Sequence, residues 1–272
     1  MTTPSSNPSR IARRDFGKTG IQLSIIGMGG IVVRDSEQAH ANSVVAEAVE
    51  RGVNYFDVAP SYGDAEAKLG PALEPYRKDV FLACKTGQRT REGAAAELKS
   101  SLEVLRTEYF DLYQLHALLE VAKDVDAVFA KGGAMETLIE AKESGQIRHL
   151  GFSAHSVEAA CAAMDRYPFD SILFPVNFAT YHAGNFGPQI MEKAMSKGVA
   201  RLAIKAMARQ KWQLPGQEVE QKKFPKIWYQ PLTDSREIDL ALRFTLSQPI
   251  TAARWASIPR PERPCLSVLT RK

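Results

Sequence analysis

Short apolar runs recur along this chain every roughly 25–35 residues, and each is followed by a segment of helical spacing. Ile25–Gly30 is apolar and ends in glycines. Ser36–Arg51 then sets Val44, Val45, Ala48 and Val49 on one helical face, and Gly52 stops it. The same reading places strands at Val53–Val58, Val80–Lys85, Phe110–His116, Arg148–Ser153, Ser171–Asn177 and Val199–Lys205. Helices are expected between them at Leu69–Tyr76, Gly93–Arg106, Gly133–Ser144, Val157–Met164 and Gln189–Lys197, with a last one at Ser235–Ser247. Such alternation requires parallel strands joined by right-handed crossovers. Seven units can be counted from Ile25, and an eighth strand is expected at Ile250–Ala253 or near Trp255–Pro259. The fold class predicted is therefore α/β, a closed (β/α)8 TIM barrel rather than an open doubly wound sheet. The open-sheet alternative also lacks its mark. Gly27-Met28-Gly29-Gly30 does not have G-x-G-x-x-G spacing, so it reads as close packing at the barrel mouth.

The ends of the chain read differently from its middle. Residues 1–12 are polar and Ser/Pro-rich and are expected to be a disordered tail, ahead of one barrel over residues 13–253. Residues 254–272 form an atypical basic, Pro-rich stretch that does not read as a helix. Arg13-Arg14-Asp15-Phe16 before an apolar run imitates a twin-arginine export signal. Three glycines interrupt that run, and Phe16-Gly17-Lys18-Thr19-Gly20 has the composition of a turn, so an N-terminal β-hairpin is expected instead. No apolar run has the roughly 18–20 residues of a membrane helix, which leads to the expectation of a cytoplasmic protein with no membrane partner. A net charge of +4 is too small to argue for nucleic acid. The three cysteines are far apart, which speaks against a disulfide framework or a thiolate metal site.

In a barrel, chemistry gathers at the C-terminal ends of the strands. Three strands here end in groups that are costly to bury: Asp57, Lys85 and His116. They are 28 and 31 residues apart, about one repeat each, which would set them on neighbouring strands at one height. Tyr62 lies on the loop just after Asp57 and could fold back over the mouth. A phenol is a weak acid, with an ordinary pKa of about 10. A cation beside it stabilises the phenolate that forms when the proton leaves. Asp57 would orient Lys85, and His116 could bond to a substrate carbonyl. A proton donor facing a polarised C=O suits carbonyl reduction, with hydride from a nicotinamide.

These residues carry a resemblance to the aldo/keto reductase superfamily. Arg14-Asp15-Phe16-Gly17-Lys18-Thr19-Gly20 resembles its N-terminal hairpin. Gly52-Val53-Asn54-Tyr55-Phe56-Asp57-Val58-Ala59-Pro60-Ser61-Tyr62-Gly63 resembles its strand-and-loop motif and is the most specific match. Ala83-Cys84-Lys85-Thr86 and Leu112-Tyr113-Gln114-Leu115-His116 are similar to its lysine and histidine strands. The resemblance runs over roughly residues 13–250. It implies a catalytic tetrad in which Tyr62 is the general acid, Asp57 orients, Lys85 tunes and His116 positions the carbonyl. It also implies a reductase of small aldehydes or ketones using NADP(H), with NAD(H) as the other possibility.

Ser153, Asn177, Lys205 and Gly29 are the candidate cofactor contacts. Three departures from the pattern bear on them. The Asn expected beside Ser153 is Ala154, and the Gln expected on the next strand is Leu173 or Phe174. Where the family stacks an aromatic ring on the nicotinamide, this chain has Ile204 or Lys205. Arg254 and Arg260 belong to the atypical tail, where a solvated basic stretch is the expectation and a phosphate contact the alternative. The aromatic segment Phe224–Tyr229 could wall the pocket or merely cover the barrel. Cys84 is expected to face the helices, His149 to lie at the opposite end of the barrel, and His155 or His182 to reach the pocket. Two other functional readings stay open at this stage: a nicotinamide-binding sensor with little turnover, and a degenerate barrel that holds no cofactor.

Overall fold

The computed structural model describes residues 11–255. The chain opens on a hairpin of β1 (Arg13–Asp15) and β2 (Gln22–Ser24). Eight parallel strands follow: β3 (Ile26–Gly29), β4 (Tyr55–Asp57), β5 (Phe81–Thr86), β6 (Phe110–Leu118), β7 (Ile147–Ala154), β8 (Ser171–Pro175), β9 (Ala200–Ile204) and, after a small hairpin, β12 (Ala252–Trp255). They close in the order β12, β3, β4, β5, β6, β7, β8, β9, and β12 pairs with both β3 and β9. The (β/α)8 barrel expected from the repeats is the fold observed. Outside it lie α1 (Gln38–Glu50), α2 (Ala65–Leu73), α3 (Arg91–Val104), α4 (Ala134–Glu143), α5 (Val157–Arg166), α6 (Pro188–Lys197) and α7 (Ser235–Ser247).

Alternation along the strands divides the apolar residues into two layers. Phe81 and Ala83 of β5 join Phe16, Leu23, Tyr55, Leu112, Leu173 and Leu202 in one cluster inside the barrel. Leu82 and Cys84, between them in sequence, join the larger cluster between strands and helices. Interior space is tight. A Cβ on Gly27 would stand 2.2 Å from the Tyr55 ring, so only glycine lets that ring fill the barrel. The N-terminal hairpin plugs the bottom. Phe16 is fully buried and meets Phe81 edge-on at 5.1 Å and His149 at 5.6 Å. Arg14 fixes the plug by donating to the Ile250 and Leu246 carbonyls at 2.9 and 2.8 Å. The pair Arg13-Arg14 thus belongs to a folded hairpin.

One element and one boundary were not legible in the sequence. A second small hairpin, β10 (Ala208–Lys211) with β11 (Tyr229–Pro231), stands between β9 and α7. The last barrel strand runs through Arg254 and Trp255, two residues past the boundary expected at 253. Arg254 is therefore part of the barrel wall and not of a tail. Residues 1–10 and 256–272 lie outside the described residues, and with them most of the tail expected over 1–12, Arg260 and most of the Pro-rich stretch. Ile11 and Ala12 are already tied to the barrel, through the Ile11 N–H to the Arg51 carbonyl at 3.4 Å and the Ile25 N–H to the Ala12 carbonyl at 2.9 Å, so the tail ends sooner than expected. Among the described residues, no helix is long and apolar enough to cross a membrane.

Candidate active site

Asp57 ends β4 with its carboxylate fully buried. An unpaired charge there would be untenable. Two cations meet it. Lys85 Nζ, from the next strand, donates to Asp57 Oδ2 and to the Val58 carbonyl at 3.1 Å. Arg254 Nη1, from the last strand, donates to Asp57 Oδ1 at 2.8 Å. The Tyr55 hydroxyl donates to the same carboxylate at 3.4 Å. Burial and the Asp57 charge push the Tyr55 phenol well above its usual range, so it stays protonated as a donor.

Tyr62 reaches this cluster from the loop after β4. The chain turns there with the Tyr62 N–H donating to the Ala59 carbonyl at 3.0 Å, and Gly63 takes φ +63°. The phenol comes back over the barrel mouth with only 5% of the residue exposed. Arg254 Nη1 donates to the Tyr62 hydroxyl at 3.3 Å. Lys85 Nζ stands 5.9 Å from the Tyr62 ring centroid and is bonded to Asp57 instead. The expected convergence of Asp57, Tyr62, Lys85 and His116 is thus present. The cation that touches the phenol oxygen, however, is Arg254, which the sequence reading assigned to a solvated tail or a phosphate. The three charges on Asp57, Lys85 and Arg254 sum to one net positive charge beside that oxygen.

His116 packs edge-on to Tyr62 with ring centroids 5.8 Å apart, and its Nδ1 lies 3.5 Å from Ser61 Oγ. Burial, and then the Lys85 charge, bring its pKa down to about 3. The imidazole is therefore neutral near pH 7 and has a single N–H to offer. Its backbone is held from outside the motif. Arg89 Nη2 donates to the His116 carbonyl at 2.8 Å while its Nε pairs with Asp124 at 2.9 Å. Just beyond, the β6–β7 register shifts and Ala117 takes φ +57°. Ser153 Oγ accepts the Ala117 N–H at 2.7 Å and fixes that bulge. Arg89 carried no signal in the sequence, because nothing local ties it to a residue on another strand.

Ser153, Leu173, Ile204, Lys205 and His155 line the cleft together with Tyr62, Lys85, His116 and Arg254. Ile227, Trp228 and Tyr229 close one side, so the aromatic segment does wall the pocket. The wall is tied down by Arg34 donating to the Pro225 carbonyl at 2.8 Å and Lys226 to the Val32 carbonyl at 3.1 Å. Two of the candidate cofactor contacts are engaged elsewhere. The Asn177 amide caps the short helix Phe178–His182, accepting from the Thr180 N–H at 2.9 Å, and donates to the Lys205 carbonyl at 3.1 Å. Gly29 packs against the last strand. A Cβ there would stand 2.7 Å from the Trp255 carbonyl and 3.1 Å from Arg254 Nη1, so glycine makes room for the arginine. His182 stacks among Phe178, Tyr181 and Phe244, away from the cleft. His149 pairs with Asp170 at the bottom, at 3.4 Å, and Cys84 faces the helices, donating to Glu66 at 3.3 Å.

Both cleft histidines should leave a mark on stability. Burial and the Lys205 charge lower His155 to about 4. In the unfolded chain each would take up a proton near pH 6.5. Between that pH and the folded values the unfolded state binds more protons, so stability falls as pH drops through this window. Thermal unfolding from pH 7 to pH 4 is expected to show it, and His155→Gln should flatten the slope, by about 3 kcal/mol at most. An unaltered slope in that variant would refute the neutral, buried assignment.

The family model described as "Aldo/keto reductase family" matches residues 25–226, about three quarters of the chain. Relatives include an uncharacterized oxidoreductase of Bacillus subtilis, 32% identical over 52% of this chain and 48% of its own length. Another is an L-galactose dehydrogenase of Arabidopsis thaliana, 26% identical over 74% of this chain and 66% of its own length. The chain thus spans about half to two thirds of these relatives. A putative aldo-keto reductase of Pseudomonas aeruginosa superposes with a TM-score of 0.72 at 22% identity, covering 93% of this chain and 92% of that one. A holo-form aldo-keto reductase of Bacillus halodurans gives 0.70 at 23% identity, over 92% and 88%. At such identities the structural likeness speaks for the fold.

Proposed function

Since the chain belongs to the aldo/keto reductase family, we propose that it reduces a small aldehyde or ketone to the alcohol, with Tyr62 giving the proton and NADP(H) as cofactor. NAD(H) is the alternative nucleotide. The observation that carries this reading is the Tyr62 hydroxyl, held at 3.3 Å by a guanidinium beside a neutral imidazole at the mouth of the barrel.

The cleft fits a nicotinamide group in its donors and its walls. Ser153 Oγ accepts the Ala117 N–H and keeps its own proton for a carboxamide oxygen. Leu173 and Ile204 beside it give apolar surface for a flat ring. When bound, the nicotinamide supplies hydride to the carbonyl carbon. The residues of the chain handle the other half of the reaction. The N–H of neutral His116 bonds to the carbonyl oxygen and fixes its direction. Tyr62 transfers its proton to that oxygen as negative charge develops there. The net positive charge of the Asp57–Lys85–Arg254 cluster stabilises the phenolate left behind. His116 is too weakly basic near pH 7 to be the acid itself. Ser153 and Lys205 are the proposed cofactor contacts, supported by their place on the cleft wall, whereas Asn177 acts through the Lys205 backbone and Gly29 through Arg254.

Oxidation of NADPH and of NADH, followed by absorbance across a panel of aldehydes and ketones, tests the proposal. Carbonyl-dependent oxidation is the expected result. Tight nucleotide binding without turnover on any carbonyl would favour a sensor, and no nucleotide binding would leave a degenerate barrel.

A further inference from the structure

His116 stands where the barrel ladder breaks. β5 pairs with β6 only as far as Thr86 against Leu115. On the other side, β6 gains one residue on β7 between Leu115 and Leu118, and His116 and Ala117 form that bulge. A bulge re-aims the side chain it carries and leaves backbone groups outside the ladder. Ala117 takes φ +57°, a conformation that residues other than glycine seldom adopt. Such a backbone persists only where its surroundings hold it.

Arg89, on the loop after β5, holds it. Its Nη2 donates to the His116 carbonyl at 2.8 Å and reaches the Ala117 carbonyl at 3.4 Å. Its Nη1 donates back to the Gly87 carbonyl at 3.3 Å, and its Nε to Asp124 Oδ1 at 2.9 Å. Asp124 lies in the helical turn Val121–Asp126, just past β6, and its Oδ2 accepts the N–H groups of Leu119 and Glu120 at 2.8 and 2.9 Å. Burial works against its charge, but those N–H groups and Arg89 hold the carboxyl below the usual carboxylate range. Only a planar fork can serve two carbonyls and a carboxylate at once; the compact ammonium of a lysine could not. Neither Arg89 nor Asp124 lines the cleft, whereas His116 does. The pair can therefore act on the reaction only through what it holds.

We propose that Arg89 and Asp124 are positioning residues for the reduction: their ion pair clamps the bulge at Ala117 and so aims the His116 imidazole at the carbonyl oxygen. This rests on the reduction proposed above, in which His116 directs that oxygen. Without the guanidinium, the carbonyls of His116 and Ala117 lose their donor, and the bulge can relax toward a regular strand end. The imidazole then leaves its place beside Tyr62 and turns toward water.

The test crosses Arg89→Met with His116→Gln and reads kcat for reduction of 4-nitrobenzaldehyde. Alone, Arg89→Met is expected to lower kcat by about 10–100-fold, the effect of a displacement of about 1 Å at the reacting centre. In the His116→Gln background the same change should cost less than about twofold, because the residue it acts through is gone. A second reading needs no turnover. In the cofactor-free protein, the His116 imidazole is assigned by comparison with His116→Gln and followed by NMR from pH 8 to pH 5. In the natural chain it should not titrate in this range, since its pKa is about 3. In Arg89→Met it should titrate, moving toward the ordinary value of about 6.5. Arg89→Lys keeps a single donor for the bulge, so it serves where the methionine variant does not fold, and should fall between the two in both readings. Losses that multiply in the double variant would overturn the positioning role. So would an Arg89 variant whose His116 still does not titrate, whatever its kcat. A natural chain that reduces no carbonyl, but whose His116 titration depends on Arg89, would overturn the reduction and keep the clamp.

Discussion

Tyr62→Phe is expected to lower kcat for carbonyl reduction by about 10²–10⁴-fold, the usual contribution of a positioned general acid. Nucleotide affinity should stay as it was. The substitution removes one oxygen. The ring keeps its buried position against His116, and what is lost locally is one hydrogen bond from Arg254. That bond contributes about 1 kcal/mol to stability, so the variant should fold and melt close to the natural chain. Equal losses in kcat and kcat/KM would place the effect in the transition state. A fully active variant would end the proposed mechanism, since neutral His116 cannot replace the acid and Lys85 Nζ is bonded to Asp57 and Val58.

The second large effect concerns the charge cluster beneath the phenol. Asp57→Asn keeps the shape but leaves Lys85 and Arg254 buried with no anion between them. Breaking a buried ion pair in this way costs about 3–5 kcal/mol, a large share of the roughly 5–15 kcal/mol that holds most proteins folded. Arg254→Met should cost less, because it takes away a cation and leaves the Asp57–Lys85 pair closed. Its larger effect should be on kcat, because the Tyr62 oxygen loses the guanidinium that touches it. Urea unfolding of the two variants ranks these effects, and the double variant should recover part of what Asp57→Asn loses. An Asp57→Asn chain as stable as Arg254→Met would contradict the buried three-charge arrangement.

The contrast between these residues shows what was readable in one dimension. Asp57, Lys85 and His116 each stand at the end of an apolar run, so burial and spacing together marked them. Arg254 stands in an apolar strand of only four residues, beside a Pro/Arg-rich stretch, where local composition suggested solvent. Its partner is Asp57, 197 residues away. Asn177 was read as a cofactor contact through the family resemblance. In the fold it is a helix cap that also holds the Lys205 backbone. Lys205 itself was placed at the mouth by its strand, but its left-handed backbone could not be inferred from its neighbours in sequence.

The chain by itself therefore determined the barrel, the outward face of Cys84, and the height at which three polar groups emerge. These follow from hydrophobic period and repeat length, which act over a few residues to a few tens. Tertiary structure alone decided which cation meets Tyr62 and which glycine makes room for it. Those outcomes depend on how the ring closes, when the last strand is brought against the first and remote side chains come to share a small, poorly hydrated volume.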